Sequence, residues 1–355
     1  MCERNTMKIS VLNLAPLRQG ETFKDAMDAM VRLVQKVEKL GYERFWVAEH
    51  HNMKAIASSA TPLLIQLALS ETSTIRVGSG GIMLPNHSPY VVAEQFGTLE
   101  TLYPNRVDLG LGRAPGTDMV TARALRRTDQ LFPNFREDIA ELQSYFEDSS
   151  EVHAYPAAGL HLPLYILGSS TESAYLAAEL GLPYAFASHF APAMMEEAVE
   201  IYRRYFKPSA HFDKPYVILG ANVIMADTNQ EAKHLWTTQL QSILGIVTGQ
   251  PSGLKPPMDK EEDVWKDFVA THKVPHFGPI AFEKEELIHR EKQIVQQMSQ
   301  FSFVGSPATV KEDLLALQKR LDFDEMIVTA SIFDEQAQHY SYQLFAEVVA
   351  DLSGK

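Results

Sequence analysis

Cysteine is almost missing from this chain. Among 355 residues only Cys2 carries a thiol, so no intrachain disulfide can form. That pattern suits a reducing compartment and leaves stability to core burial. Positive charge is also scarce. Lysine and arginine number 32 against 45 acidic residues, a net charge of −13. Such a balance argues against a nucleic-acid groove or an anionic membrane surface as the main partner. No apolar run approaches the ~18–20 residues of a membrane span. The opening MCERNTMKIS lacks a basic region followed by an apolar core. No signal peptide is therefore expected, and a cytoplasmic location is. HExxH, CxxC, GxSxG and GxxxxGKS/T are absent, so zinc-protease, dithiol, α/β-hydrolase and P-loop chemistries lose support. There is no H-x-H pair. His50 and His51 are adjacent, and neighbours on a strand face opposite ways, so the two do not readily share an ion. No metal site is expected.

What is present is regular alternation. The composition, 45% hydrophobic and 22% charged, is that of a globular protein. At this length roughly three quarters of the unfolded surface can be buried. Strand-like apolar runs occur at Lys8–Pro16, Arg44–His51, Ile75–Leu84, Val107–Leu111, Leu164–Leu167, Tyr184–Ser188, Tyr216–Met225 and Glu325–Ala330. Helical patterns separate them. In Asp25–Leu40, for example, Met27, Met30, Val31, Val34 and Val37 recur at helical spacing before Gly41. The strands read as apolar on both faces, as parallel strands under helices should. Eight such units predict an α/β fold, a (β/α)8 TIM barrel forming one domain over residues 1–355. One stretch breaks the rhythm. From about Gly245 to Phe303 the chain carries five prolines among mixed charges, which predicts an insertion after strand seven. Long insertions are either lids and binding loops or solvated excursions.

The chain is organised around Arg44–Asn52, RFWVAEHHN. An apolar run ends in Glu49, His50 and His51. In a barrel the C-terminal end of each strand faces the active site, and histidine suits proton transfer near neutral pH. The alternative is histidines that only bond to a loop. Three turns are suited to a phosphorylated planar cofactor. In Gly78-Ser-Gly-Gly81 the glycines allow either close backbone approach to a flat ring or a strand bulge. Arg113, after the fourth strand, is placed for a phosphate or for a salt bridge. Gly168-Ser-Ser-Thr-Glu-Ser173 offers an anion site at a helix start, or a capping box of Ser169 with Glu172. Gly110-Leu-Gly-Arg-Ala-Pro-Gly116 is a poor dinucleotide fingerprint. Its third glycine falls one place late, and Pro115 disturbs the turn.

Four blocks in order carry a family resemblance. They are AEHHN at 48–52, VGSGGIMLPNHSP at 77–89, RVDLGLGRAPG at 106–116 and ILGSSTES…GLP at 166–183. Together they resemble the bacterial-luciferase-like flavin monooxygenases, most of all the single-chain luciferase-like subgroup, over nearly the whole chain. The resemblance implies a (β/α)8 barrel that uses reduced FMN supplied by a separate flavin reductase. In such enzymes the flavin reacts with O₂ to give a C4a-hydroperoxide, which oxygenates a small organic substrate. By position His50 matches the catalytic histidine. Gly80 and Gly81 match an often cis dipeptide beneath the flavin ring, and Arg113 the phosphate-binding arginine. Ser170 and Ser173 match hydroxyl ligands of the phosphate. Ser169 stands where luciferase has glutamate, and Gly112 where it has a reactive cysteine, so no thiol chemistry carries over. Ala187 and Ser188 match the strand-six segment along the ring edge. His189 and His51 are added as substrate-pocket candidates. The insertion corresponds to a mobile loop, and a homodimer is the family habit. A deazaflavin-dependent hydride-transfer enzyme on the same barrel is the alternative, although that branch usually lacks EHH. A non-catalytic flavin-binding protein is a third reading, and an intact His50 argues against it. The substrate is not legible, because the pocket is built by loops.

Overall fold

A computed structural model describes residues 7–126, 134–271 and 288–354. Cys2 and part of the expected insertion lie outside the described residues. Strands and helices alternate from β1 (Lys8–Asn13) and α1 (Phe23–Lys39) through β2 (Arg44–Val47), α2 (Thr61–Ser70), β3 (Arg76–Met83) and α3 (Pro89–Leu102). They continue with β4 (Val107–Gly112), α4 (Met119–Arg126), α5 (Phe135–Phe146), β5 (Leu164–Gly168), α6 (Thr171–Leu180), β6 (Tyr184–Phe186) and α7 (Met195–Tyr205). Then come β7 (Val217–Met225), α8 (Asn229–Val247), α9 (Glu261–Thr271), α10 (His289–Met298), β8 (Ser302–Gly305), α11 (Pro307–Arg320), β9 (Glu325–Thr329) and α12 (Glu335–Leu352).

All strand pairings are parallel, and β1 to β7 pair in sequence order. β9 sits between β7 and β1, with Lys8 opposite Glu325, and closes an eight-stranded barrel. The expected (β/α)8 architecture is therefore observed. The chain also makes a strand that the periodicity did not reveal. β8 pairs only with the far half of β7, Asn222 to Met225, outside the closed ring. Its four residues are too few to show a period against the apolar segments around them. It also shortens the insertion. α8 runs on to Val247 and β8 begins at Ser302, and the described residues between them include α9 and α10. Among the described residues no helix is long and apolar enough to cross a membrane.

Strand alternation fills the barrel in layers. At the bottom sit Ser10, Arg44, Asp108 and Glu325, all buried. Two residues further along the same strands come Leu12, Trp46 and Ile327, which join Tyr165, Ala185 and Ile218 in an apolar layer. The polar layer is bonded throughout. Arg44 donates from Nε and Nη2 to the two oxygens of Glu325 at 2.7 and 3.0 Å, and from Nη1 to Asp108 at 2.8 Å. Arg76 holds the other oxygen of Asp108 at 2.6 Å, and Tyr216 donates to Glu325 at 2.7 Å. Burial opposes the Arg44 charge, yet Glu325 and Asp108 hold its pKa well above the ordinary value. Burial would raise the Asp108 pKa, and Arg44 with Arg76 lowers it instead.

Removing one member of a buried ionic group strands its partners without solvent, at a cost of about 3–5 kcal/mol. Arg44→Met should lower the urea unfolding midpoint by a corresponding amount. Lys24→Met, at an exposed pair with Asp28, should shift it by no more than about 0.5 kcal/mol. Equal effects from the two substitutions would show that the buried layer does not hold the barrel.

Candidate active site

Above the apolar layer, at the C-terminal ends of the strands, lies a cavity of about 520 Å³. Trp46, Leu12 and Ile327 form its floor, and Ile243, Ile246 and Leu254 reach over it. His50, Gly80, Arg113, Ser169, Ser170, Ser173, Ala187 and His189 all line it. These residues come from the exits of β2, β3, β4, β5 and β6, so closure of the barrel is what gathers them.

The β5–α6 turn is built by its serines. Ser170 is the N-cap of α6, and its hydroxyl accepts from the Ser173 N–H at 3.4 Å. The Ser169–Glu172 capping box, the alternative reading of this turn, is not formed, because the helix cap falls one residue later, at Ser170. Ser173 donates to the Ser170 carbonyl at 2.6 Å and meets the Tyr184 hydroxyl at 2.8 Å. A hydrogen bond from Ser170 and the nearby charge of Arg113 hold the Glu172 carboxyl below its usual pKa. Arg113 is exposed near Glu172, and among the described residues it has no salt bridge within 4 Å.

The Gly80–Gly81 peptide is cis. A Cβ on Gly80 would lie 2.7 Å from Leu12 Cδ1 and 3.0 Å from Trp46 Cβ, and one on Gly81 would lie 2.7 Å from the Gly110 carbonyl. Neither position has room for a side chain. Gly80 faces the cavity, and Gly81 is set back against β4.

Two expected site residues, His51 for the substrate pocket and Ser188 for the cofactor, do not line the cavity. β2 ends at Val47, not His51, so the strand-face argument that separated His50 from His51 does not apply. Their separation arises otherwise. His51 places Nε2 2.8 Å from Glu49 Oε1 and does not line the cavity. Likewise β6 ends at Phe186, and Ser188 spends its hydroxyl on the Gly220 carbonyl at 2.6 Å behind the cavity wall. His87, which sequence reasoning passed over, meets the same Glu49 oxygen at 2.8 Å. Its only signal was membership of the VGSGGIMLPNHSP block. Glu49, His51 and His87 are metal-ligand types brought together, but their 2.8 Å separations are those of N–H···O bonds.

The sequence model of the luciferase-like monooxygenases matches residues 7–322. The chain belongs to that family. It is 43% identical over 353 residues to an Escherichia coli (strain K12) luciferase-like monooxygenase, covering 98% of this chain and 99% of that one. It is 36% identical over 354 residues to the N-acetyl-S-alkylcysteine monooxygenase of Bacillus subtilis (strain 168), covering 97% and 98%. Among solved structures it is similar to apo-MsnO8, with a TM-score of 0.82 and 32% identity over 97% of this chain and 98% of that one.

In this chain burial disfavours the charged form of two imidazoles at the cavity. Burial lowers the His50 pKa, partly opposed by Glu49, and burial with the neighbouring His50 brings His189 down to about 4. Among the described residues Nδ1 of each is buried without a partner. His189 packs its ring on Gly220, where a Cβ would collide with Nδ1. An ordinary histidine titrates near 6.5. Between pH ~6.5 and 4 the unfolded chain therefore holds a proton on His189 that the folded chain lacks. Its stabilisation is full above that window and is lost as pH falls through it, up to about 3 kcal/mol. His189→Gln should flatten the rise in urea stability between pH 4.5 and 6.5. An unchanged slope would mean that His189 is not buried neutral.

Proposed function

We propose that this chain is an FMN-dependent monooxygenase. It takes reduced FMN from a separate flavin reductase, uses O₂, and oxygenates a small apolar organic substrate such as an aldehyde. One observation carries the reading: a single cavity joins an exposed arginine and a serine-lined helix start to an apolar chamber holding a buried histidine whose charge burial disfavours. Arg113, Ser169, Ser170 and Ser173 would hold the phosphate. Gly80, Gly81 and Ala187 would seat the ring, with Leu12 and Trp46 beneath it. Bound reduced flavin supplies the electrons that activate O₂. The apolar walls exclude water, and His50 is the group able to take or give a proton at the reacting centre, since its imidazole is neutral and its Nδ1 uncommitted. His51 and Ser188 act behind the wall in this reading. His189 lies on the substrate side, next to Phe190.

The excursion after α8 is proposed as a lid. Its Leu254 exchanges hydrogen bonds with Leu17 and Gln19 at 2.7 and 2.8 Å, beside the cavity it lines. A cytoplasmic homodimer completes the reading. Deazaflavin-dependent hydride transfer is the lesser alternative, because relatives of 36% and 43% identity are named as monooxygenases.

Reduced FMN should bind well in anaerobic titration, and riboflavin, lacking the phosphate, much more weakly. Arg113→Ala should cost FMN about 1.5–3 kcal/mol, the range of a charge-assisted hydrogen bond, and leave riboflavin nearly unaffected. Equal affinity for the two flavins would overturn the phosphate site. His50→Ala should keep the fold and bind reduced FMN within a few-fold. With a reductase, NADH, O₂ and a panel of aldehydes, thioethers and ketones, its product yield should fall by roughly 10²–10⁴. Full product yield from that variant would remove His50 from the chemistry. Rapid NADH oxidation by the purified chain alone would contradict dependence on a reductase.

A further inference from the structure

Glu49 has almost no exposed surface, at 1%, yet three donors converge on its carboxylate. His51 Nε2 and His87 Nε2 each lie 2.8 Å from Oε1, and the Met83 N–H donates to Oε2 at 3.0 Å. Burial alone would raise its pKa, but the bonds from His51, His87 and the Met83 N–H bring it down to about 2. A carboxylate so satisfied is fixed in one orientation.

Its partners belong to different strand exits. His51 is on the segment after β2, next to His50. Met83 ends β3, three residues beyond Gly80, and His87 follows it. The third exit is fastened to the same segment. Thr117 donates to the His51 carbonyl at 3.2 Å, and Asn52 donates to Asp118 at 3.1 Å. A Cβ on Gly116 would lie 3.0 Å from the Glu49 carbonyl. The β4 exit, which bears Arg113, therefore rests directly on the Glu49–Asn52 segment.

We infer that Glu49 is a positioning residue that locks the exits of β2, β3 and β4 together, so that His50, the Gly80–Gly81 seat and Arg113 hold one fixed geometry. Glu49 does not line the cavity and acts only through these three. The inference rests on the flavin reading above. It explains why a side chain one residue from His50 is buried as an ion instead of facing the substrate. It also assigns a task to His51 and His87, which lie at the rim, 12% and 28% exposed.

Glu49→Gln keeps the shape but replaces one acceptor oxygen with a donor, so the three bonds cannot all survive. In the free protein, two slowly exchanging imidazole N–H signals should be visible by proton NMR, and both should vanish in Glu49→Leu, which removes both acceptor oxygens. In anaerobic titration the preference of reduced FMN over riboflavin should fall at least five-fold in Glu49→Gln, although Arg113 is untouched. His87→Leu should lose part of that preference, and His87→Gln, which returns an N–H to Glu49, should recover most of the loss. The His87 pair carries the test if Glu49→Gln does not fold. If Glu49→Gln keeps the wild-type preference, or if His87→Gln and His87→Leu behave alike, the positioning role is overturned. If the wild type itself shows no preference for FMN, the flavin reading fails instead, and the imidazole signals still report on whether Glu49 anchors the two histidines.

Discussion

The barrel depends on what happens to the charge of Arg44. It is buried at the closed end, with Glu325 on one side and Asp108 on the other. Those contacts tie β2 to β9 and to β4 across the interior. Neither carboxylate depends on Arg44 alone, since Arg76 shares Asp108, and Ser10 and Tyr216 share Glu325. Tyr165 and Trp46, in the layer above, have their ring centroids 5.2 and 5.8 Å from the guanidinium, so the same cation also meets aromatic faces. A layer in which every polar group is bonded specifies one strand register. A one-residue slip would expose buried charge to apolar neighbours.

That closed, charged floor leaves the upper part of the barrel free to be apolar and open. Trp46 sits two residues above Arg44 and donates to Asp108 at 3.1 Å, so the floor of the cavity is fastened to the layer below. Glycine then makes room where side chains would collide, at Gly80 and Gly81 above all. The result is a concave, mostly apolar chamber with its cation and hydroxyls at one side. Such a shape can hold an amphipathic ligand with an anionic tail and a flat body. The chemistry of the site and the stability of the barrel are thus carried by alternate residues of the same strands.

The rim obeys a second constraint. Loops that carry reacting groups must be both mobile enough to admit ligand and fixed enough to orient it. Glu49 resolves this on the β2–β3–β4 side by drawing two imidazoles and a backbone N–H onto one carboxylate. On the opposite side Leu254 bridges to the β1 exit by two backbone bonds, and the residues after it bond to α8 through Thr237, Thr238 and Gln241.

The sequence by itself determined the barrel and the order in which its strands deliver polar groups. Burial on both faces writes itself into local runs such as Phe45–Val47 and Val107–Leu111, and helix faces into the spacing of Met30, Val34 and Val37. It also singled out His50, Gly80, Arg113 and Ser170, because each stands at a strand exit in a distinctive local string. Tertiary structure alone decided which side chains meet. Arg44 and Glu325 are 281 residues apart, and Glu49 and His87 are 38 apart. Nothing in the local pattern of either partner encodes such a pairing. It decided too that His51 turns to Glu49, that Ser188 turns to Gly220, and that β8 joins the far half of β7. Local periodicity reports how deeply a residue is buried. Its partner is chosen by strand register, barrel closure and the few polar contacts that geometry leaves within reach.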